Sequence, residues 1–190
     1  KHLGLIHEAE VAYKNAIKRN KKEPLYYSNL ANLYICQNRL QEAQDLCFTV
    51  VKSGIANHLT YLLLGKLCIT QGKTNDAINA FQQSIQLDNK NITAHTYLIN
   101  LLLQANQLEE AKNVLAGIIS FYPDELKLKC LTEKIHYKSG NKESAINFIQ
   151  NILTSNPSDR SVCLDLGDLC IEMEEYAKAI EVLERYITTT

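Results

Sequence analysis

Apolar residues recur along this chain at helical spacing, in stretches a few helical turns long separated by short polar turns. Residues 60–88, TYLLLGKLCITQGKTNDAINAFQQSIQLD, show the pattern most plainly. Two amphipathic helices are predicted there, joined by a tight turn at Gly72. Leu64, Gly65 and Cys68 fall on the packing face of the first helix, and Ala77, Phe81 and Ser84 on that of the second. The same skeleton returns at a fixed interval in either direction, because Ala9, Ala43, Ala77, Ala111, Ala145 and Ala179 are evenly spaced and all alanine. A fixed period of that length is the mark of a helical solenoid, in which each unit buries its apolar face by stacking on its neighbours.

The periodicity predicts helices at about 5–19, 25–37, 40–53, 58–71, 74–87, 92–105, 108–121, 126–138, 142–154, 160–173 and 176–187. Five turns join the two helices of a unit, and Gly or Asn occurs in four of them (Asn38, Gly72, Asn106 and the Gly140-Asn141 pair). Those residues suit a helix that ends through a left-handed conformation. Turns this short force antiparallel pairs. Pro24, Pro123 and Pro157 fall at predicted unit boundaries, where one helix must stop and another can start. Alanine and glycine at the packing positions let two helix axes approach closely, leaving larger residues to fill the flanking gaps.

These positions resemble the tetratricopeptide repeat family over essentially the whole chain. Counting Pro24 as position 1, the family pattern of a large residue at 4, Leu at 7, small at 8, aromatic at 11 and Ala at 20 is met by Tyr27, Leu30, Ala31, Tyr34 and Ala43. The unit from His58 supplies Tyr61, Leu64, Gly65, Ala77 and, at position 24, Phe81. The unit from Ile92 keeps Leu98 and Ala111 but has Ile99 where a small residue is usual. The unit from Leu126 departs most, with Thr132, Glu133 and His136 at positions 7, 8 and 11, while the last recovers Leu166, Gly167, Ala179 and Leu183. The resemblance implies an all-α, right-handed superhelical solenoid of antiparallel helix pairs. It is expected to form a single array, with the second helix of a truncated unit in residues 1–23 and units at 24–57, 58–91, 92–125, 126–159 and 160–190.

In this family the first helices line a concave groove. Carried over, the lining is Asn29 and Asn32 in the unit from Pro24, and Leu59, Leu62, Leu63 and Lys66 in the next. Tyr97 and Asn100 follow, then Lys127, Lys134, Tyr137 and Lys138, and the last unit turns acidic with Asp165, Asp168 and Glu172. Two known family modes do not fit. The basic pair that grips a C-terminal carboxylate is missing, and an Asn at position 6 of every unit is replaced after Asn29 by Leu63, Tyr97, Leu131 and Asp165. What remains is an apolar patch beside a lysine patch. It suits a protein or peptide segment with apolar anchors and acidic flanks, unless the leucines pack internally and the lysines pair with the acidic unit.

Composition narrows the function further. A formal charge of −1 offers no clustered positive surface for nucleic acid, and no apolar run reaches the roughly 18–20 residues a bilayer requires. Ser, His and Asp are scattered over different units, carboxylate pairs open second helices where the dipole favours them, and no Gly-rich phosphate loop occurs. No enzyme activity and no cofactor are expected. The six cysteines lack CxxC spacing and supporting histidines, so free thiols in a reducing, cytoplasmic setting are expected. Asn91 opens a sequon but reads as a helix N-cap. The start, KHLGLIHEAE, has neither Met nor a signal-peptide core, which reads as an excised piece. Both end helices are expected to present uncovered faces prone to self-association. Two functions follow from this reading: a non-catalytic scaffold docking a partner segment in the groove, or the substrate-recruiting arm of a larger enzyme.

Overall fold

The computed structural model describes residues 2–155 and 160–188, and these form helices joined by short turns, with no strand among them. The helices are α1 (His2–Arg19), α2 (Pro24–Cys36), α3 (Leu40–Lys52), α4 (His58–Thr70), α5 (Thr74–Leu87), α6 (Ile92–Gln104), α7 (Leu108–Ile119), α8 (Leu126–Lys138), α9 (Lys142–Ser155), α10 (Arg160–Glu172) and α11 (Tyr176–Thr188). Every helix expected from the period is present. Pro24 occupies the first helical position of α2, where its missing N–H costs nothing; Pro157 lies outside the described residues.

The turn inside each pair repeats in detail. Asn38, Gly72, Asn106, Gly140 and Glu174 adopt left-handed φ of 59°, 70°, 57°, 94° and 61°. At each, the amide one residue on donates back across the turn, from Arg39 to Tyr34 O, Lys73 to Cys68 O, Gln107 to Leu102 O, Asn141 to His136 O and Glu175 to Cys170 O, at 2.8–2.9 Å. This closure satisfies carbonyls that a helix end would otherwise leave bare. Glu174 is the member of this series that is neither Gly nor Asn.

Compactness divides the chain within α6, into residues 1–101 and 102–190. In the former, α2 packs on α1, α3 and α4, and α4 packs on α5. Its core joins Leu30, Ala31, Tyr34, Ala43 and Cys47 to Leu63, Leu64 and Leu67 of α4. In the latter, α8 packs on α7, α9 and α10, and α10 on α11, around Cys130, Ala145, Ile149, Cys163, Leu166, Leu169, Cys170, Ala179 and Val182.

Positions 8 and 24 trade volume within a pair. A methyl on Gly65 would lie 2.5 Å from Phe81 Cε1, and one on Gly167 would lie 3.0 Å from Leu183 Cδ2. Where position 24 is only Cys47, position 8 is Ala31, and both are buried. The repeat period alanines Ala43, Ala77, Ala111 and Ala145 have no exposed surface. The aberrant Glu133 at position 8 is accommodated by polar contacts. Its carboxylate accepts from Ser144 Oγ of α9 at 2.7 Å and lies 3.3 Å from His136 Nδ1. This cluster joins α8 to α9.

Candidate partner-binding surface

The surface is built from the first helix of each pair, and the two compact units present separate parts of it. In residues 1–101 the lining begins on α2, where Asn29 is partly exposed and Asn32 exposed. Ser28, one residue before Asn29, is instead buried, and its hydroxyl lies 3.3 Å from both Asn57 Oδ1 and Thr60 Oγ1 at the start of α4. Asn57 and Thr60 form a capping box, with Asn57 accepting from the Thr60 amide at 3.0 Å. This polar knot fixes the spacing of α2 and α4 and so the width of the surface between them.

On α4 the expected apolar patch separates into two kinds of residue. Leu59 and Lys66 are partly exposed, whereas Leu62 and Leu63 are buried. Leu63 belongs to the core that joins α2 to α4. Both leucines therefore differ from their expected place in the groove: they are buried, and Leu63 lies at the seam between α2 and α4 rather than on the open face. Lys66 extends to the Tyr97 ring on α6, with Nζ 5.4 Å from its centroid. Tyr97 stacks on Phe81 with centroids 5.2 Å apart and planes 4° from parallel. Phe81 is fully buried, so the stack holds Tyr97 in place beside the Lys66 cation. Asn100 lies one helical turn from Tyr97 and is partly exposed.

In residues 102–190 the lysine stripe lies on α8. Lys127, Lys134, Tyr137 and Lys138 are all partly exposed. Lys134 Nζ is 3.1 Å and Lys138 Nζ 2.5 Å from opposite oxygens of Glu172 on α10. Burial alone would raise the Glu172 carboxyl, but Lys138 and Lys134 together hold it below the usual carboxylate range. Two of the three lysines expected to meet an acidic partner are thus engaged within the chain. Asp168 is exposed, and the Asp165 side chain lies outside the described residues.

Sequence reasoning passed over Leu164 and Ile171, which are exposed on α10. The signal that finds them is their repeat positions, 5 and 12, which belong to the same lining. A second concavity of about 310 Å³ opens between α3 and α5, lined by Phe48, Val51, Tyr61, Leu64 and Ala80 among others. Elsewhere Arg39 lies 4.1 Å over the Tyr34 ring and bridges Glu10 of α1 at 2.7 Å and Glu42 at 2.6 Å. That network fastens α1 to the next pair. Among the described residues no helix is long and apolar enough to cross a membrane, and no group of three or more His, Cys, Asp or Glu is placed to hold a metal ion.

Comparison with known proteins agrees with the architecture. Family models described as tetratricopeptide repeat match residues 69–133 and 161–189. The chain is 23% identical over 180 residues to the BBSome complex member BBS4 of Bos taurus, covering 94% of this chain and 34% of that protein. It is 22% identical over 181 residues to anaphase-promoting complex subunit 7 of Homo sapiens, covering 95% of this chain and 26% of that protein. It therefore spans about a third or less of either relative. Among solved structures, a tetratricopeptide repeat protein from Parabacteroides merdae superposes with a TM-score of 0.76 at 19% identity, covering all of this chain and 75% of the other. YrrB, described as having an unusual peptide-binding site, superposes with a TM-score of 0.65 at 18% identity, covering 94% and 92%. At these identities the structures speak for the fold alone.

Proposed function

The chain belongs to the tetratricopeptide repeat family, and from that premise we propose that it is a non-catalytic interaction scaffold which docks a partner polypeptide segment along its first helices. The observation that carries this reading is the lining of residues 1–101, where Asn29, Asn32, Lys66, Tyr97 and Asn100 come from three first helices and keep accessible surface. Each amide offers two donors and an acceptor, which suits the bare N–H and C=O groups of an extended segment or the polar side chains of a helical one. Lys66, held beside the Tyr97 ring, attracts an acidic side chain, and the partly exposed Leu59 supplies an apolar contact. In residues 102–190 the contribution is smaller, since Lys134 and Lys138 are paired with Glu172. Relatives named as members of the BBSome and of the anaphase-promoting complex support a role inside a multi-subunit assembly. All six cysteines are free thiols, which supports a reducing compartment such as the cytoplasm.

Site-specific photo-cross-linking in native lysate tests the reading. A cross-linker placed at Asn32 or Asn100 should capture a partner that Lys66→Ala/Tyr97→Ala no longer yields. The same probe at the exposed Asn113 of α7 should not capture it. Equal capture from all three sites, or indifference to the double substitution, would place the binding surface elsewhere.

A further inference from the structure

The seam between α1 and α3 and the seam between α3 and α5 use the same repeat positions but are filled differently. At the α1–α3 seam the Tyr34 ring of α2 is 5% exposed. Its hydroxyl donates to Glu10 of α1 at 3.2 Å, and the Arg39 guanidinium lies 4.1 Å over its face. One repeat later Cys68 stands in place of Tyr34, Gln44 in place of Glu10, Lys73 in place of Arg39 and Ala80 in place of Leu46. Two large side chains are thus exchanged for small ones, and the concavity of about 310 Å³ opens there. The other cysteine at this repeat position, Cys170, has Ile146 and Val182 at the positions of Gln44 and Ala80, and it has no exposed surface. Burial sorts the lining of the concavity. Phe48 and Lys73 are exposed at its rim, whereas Leu64, Cys68 and Gln44 form its floor and are 6%, 8% and 8% exposed. Gln44 is the polar member of that floor. Its Oε1 accepts from Gln71 Nε2 at 2.9 Å, while its own Nε2 has no acceptor among the described residues. A buried donor of this kind is costly to leave unmet.

We propose that this concavity is a binding slot for a tyrosine side chain presented by a partner polypeptide, its ring standing where Tyr34 stands one seam earlier and its hydroxyl bonded to Gln44. A phenolic hydroxyl both donates and accepts, so it satisfies the free half of the Gln44 amide whichever way that amide is turned. A phenylalanine would cover the same amide and leave it unmet, which a site of this kind penalises. Electrostatics agree with an aromatic occupant. Lys73 lines the slot and has no ion pair among the described residues, so it can meet the π face as Arg39 meets that of Tyr34. Volume decides between a side chain and a free phenol. An apolar cavity of about 150 Å³ takes a benzene ring, so about 310 Å³ admits the tyrosine together with an apolar neighbour, which a free phenol lacks. The slot shares no residue with the Asn29–Asn32–Lys66–Tyr97–Asn100 surface, and the two proposals fail independently.

NMR titration of the isotope-labelled chain with acetyl-Leu-Tyr-amide, acetyl-Leu-Phe-amide and p-cresol tests the proposal. The tyrosine peptide should shift the Gln44 side-chain amide and the Ala80 signals, and it should bind about tenfold tighter than the phenylalanine peptide, the scale of one buried hydrogen bond left unmade. Gln44→Leu should erase that preference while the phenylalanine peptide still binds. Cys68→Tyr copies the neighbouring seam and fills the slot from within, so it should abolish binding of both peptides. Ala80→Leu, which copies Leu46, closes the slot from the other wall and serves the same purpose if Cys68→Tyr does not fold. Equal affinity for the two peptides, unmoved Gln44 signals, or wild-type binding by the filled variants would overturn the proposal. p-Cresol binding as tightly as the tyrosine peptide would overturn the assignment to a polypeptide and give the slot to a free phenol.

Discussion

Individual glycines in this chain have opposite reasons for being there. At Gly65 a methyl group would lie 2.5 Å from the Phe81 ring, and Phe81 is fully buried and stacked on Tyr97. Gly65→Ala gains about 1 kcal/mol of helix propensity, yet overpacking a well-filled seam costs about 1–3 kcal/mol. The substitution should therefore destabilise, and Phe81→Leu in the same molecule should recover part of the loss, a coupling that denaturant unfolding of the double-mutant cycle reads directly. At Gly117 in α7 nothing lies within 4 Å of the added methyl. Gly117→Ala should stabilise by about 1 kcal/mol. Glu174 poses the reverse problem. Its φ of 61° is shared with Asn38 and Asn106 at the same turn position, and a side chain there costs roughly 1–2 kcal/mol unless it bonds locally. Glu174→Asn should raise the unfolding midpoint, while Glu174→Val should lower it.

Among the elements, α1 depends on side-chain chemistry more than the others. Ala9, Tyr13 and Ala16 are only half-buried, whereas their counterparts Ala43 and Ala77 are sealed. The compensation is the network at Glu10, which accepts from Arg39 at 2.7 Å, Lys14 at 2.6 Å and the Tyr34 hydroxyl at 3.2 Å. Arg39 and then Lys14 hold the Glu10 carboxyl down to about 2. A carboxylate depressed in the folded state adds stability above its unfolded value, and that contribution disappears as pH falls through the folded value. The docking of α1 should therefore weaken between about pH 4.5 and 2. Hydrogen exchange resolved along the chain should show α1 amides losing protection across that window while α4 amides keep theirs. Glu10→Gln should open α1 at neutral pH and flatten its pH dependence; an unchanged profile would mean that apolar contacts alone hold the helix.

For the molecule as a whole, the cysteines report how completely the repeat seams are closed. Five of the six are buried and Cys36 is exposed. Burial pushes Cys47 up to about 12 and Cys170 up to about 11, and raises Cys68 as well. Since the thiolate is the reacting species, a native sample at neutral pH should consume one equivalent of a thiol reagent quickly and the remaining five only on unfolding. A Cys36→Ser variant should show no fast phase. A second fast equivalent would mark a seam that opens on its own, and mass mapping of the labelled cysteine would identify the pair of helices concerned.

The repeat itself was legible because its determinants are local. The regular alanine period, the left-handed turn residues and the alternation of small and large packing positions set each helix pair from its own sequence. The structure places helices wherever that period predicts them. Asn91 likewise accepts from the Ala94 amide at 3.0 Å, as an N-cap spelled out by neighbouring residues should. Which side chains remain on the surface was decided only by the stacking of one pair on the next. Leu62 and Leu63 looked like groove residues by position, but both are buried, Leu63 in the core that joins α2 to α4. Lys134 and Lys138 looked poised for an acidic partner, but Glu172, on the first helix of the following pair, meets both. Leu164 occupies the same repeat position as Leu62 and stands open. Periodicity reports the position within a repeat; exposure depends on the helix that packs against it, and that is a property of the tertiary structure.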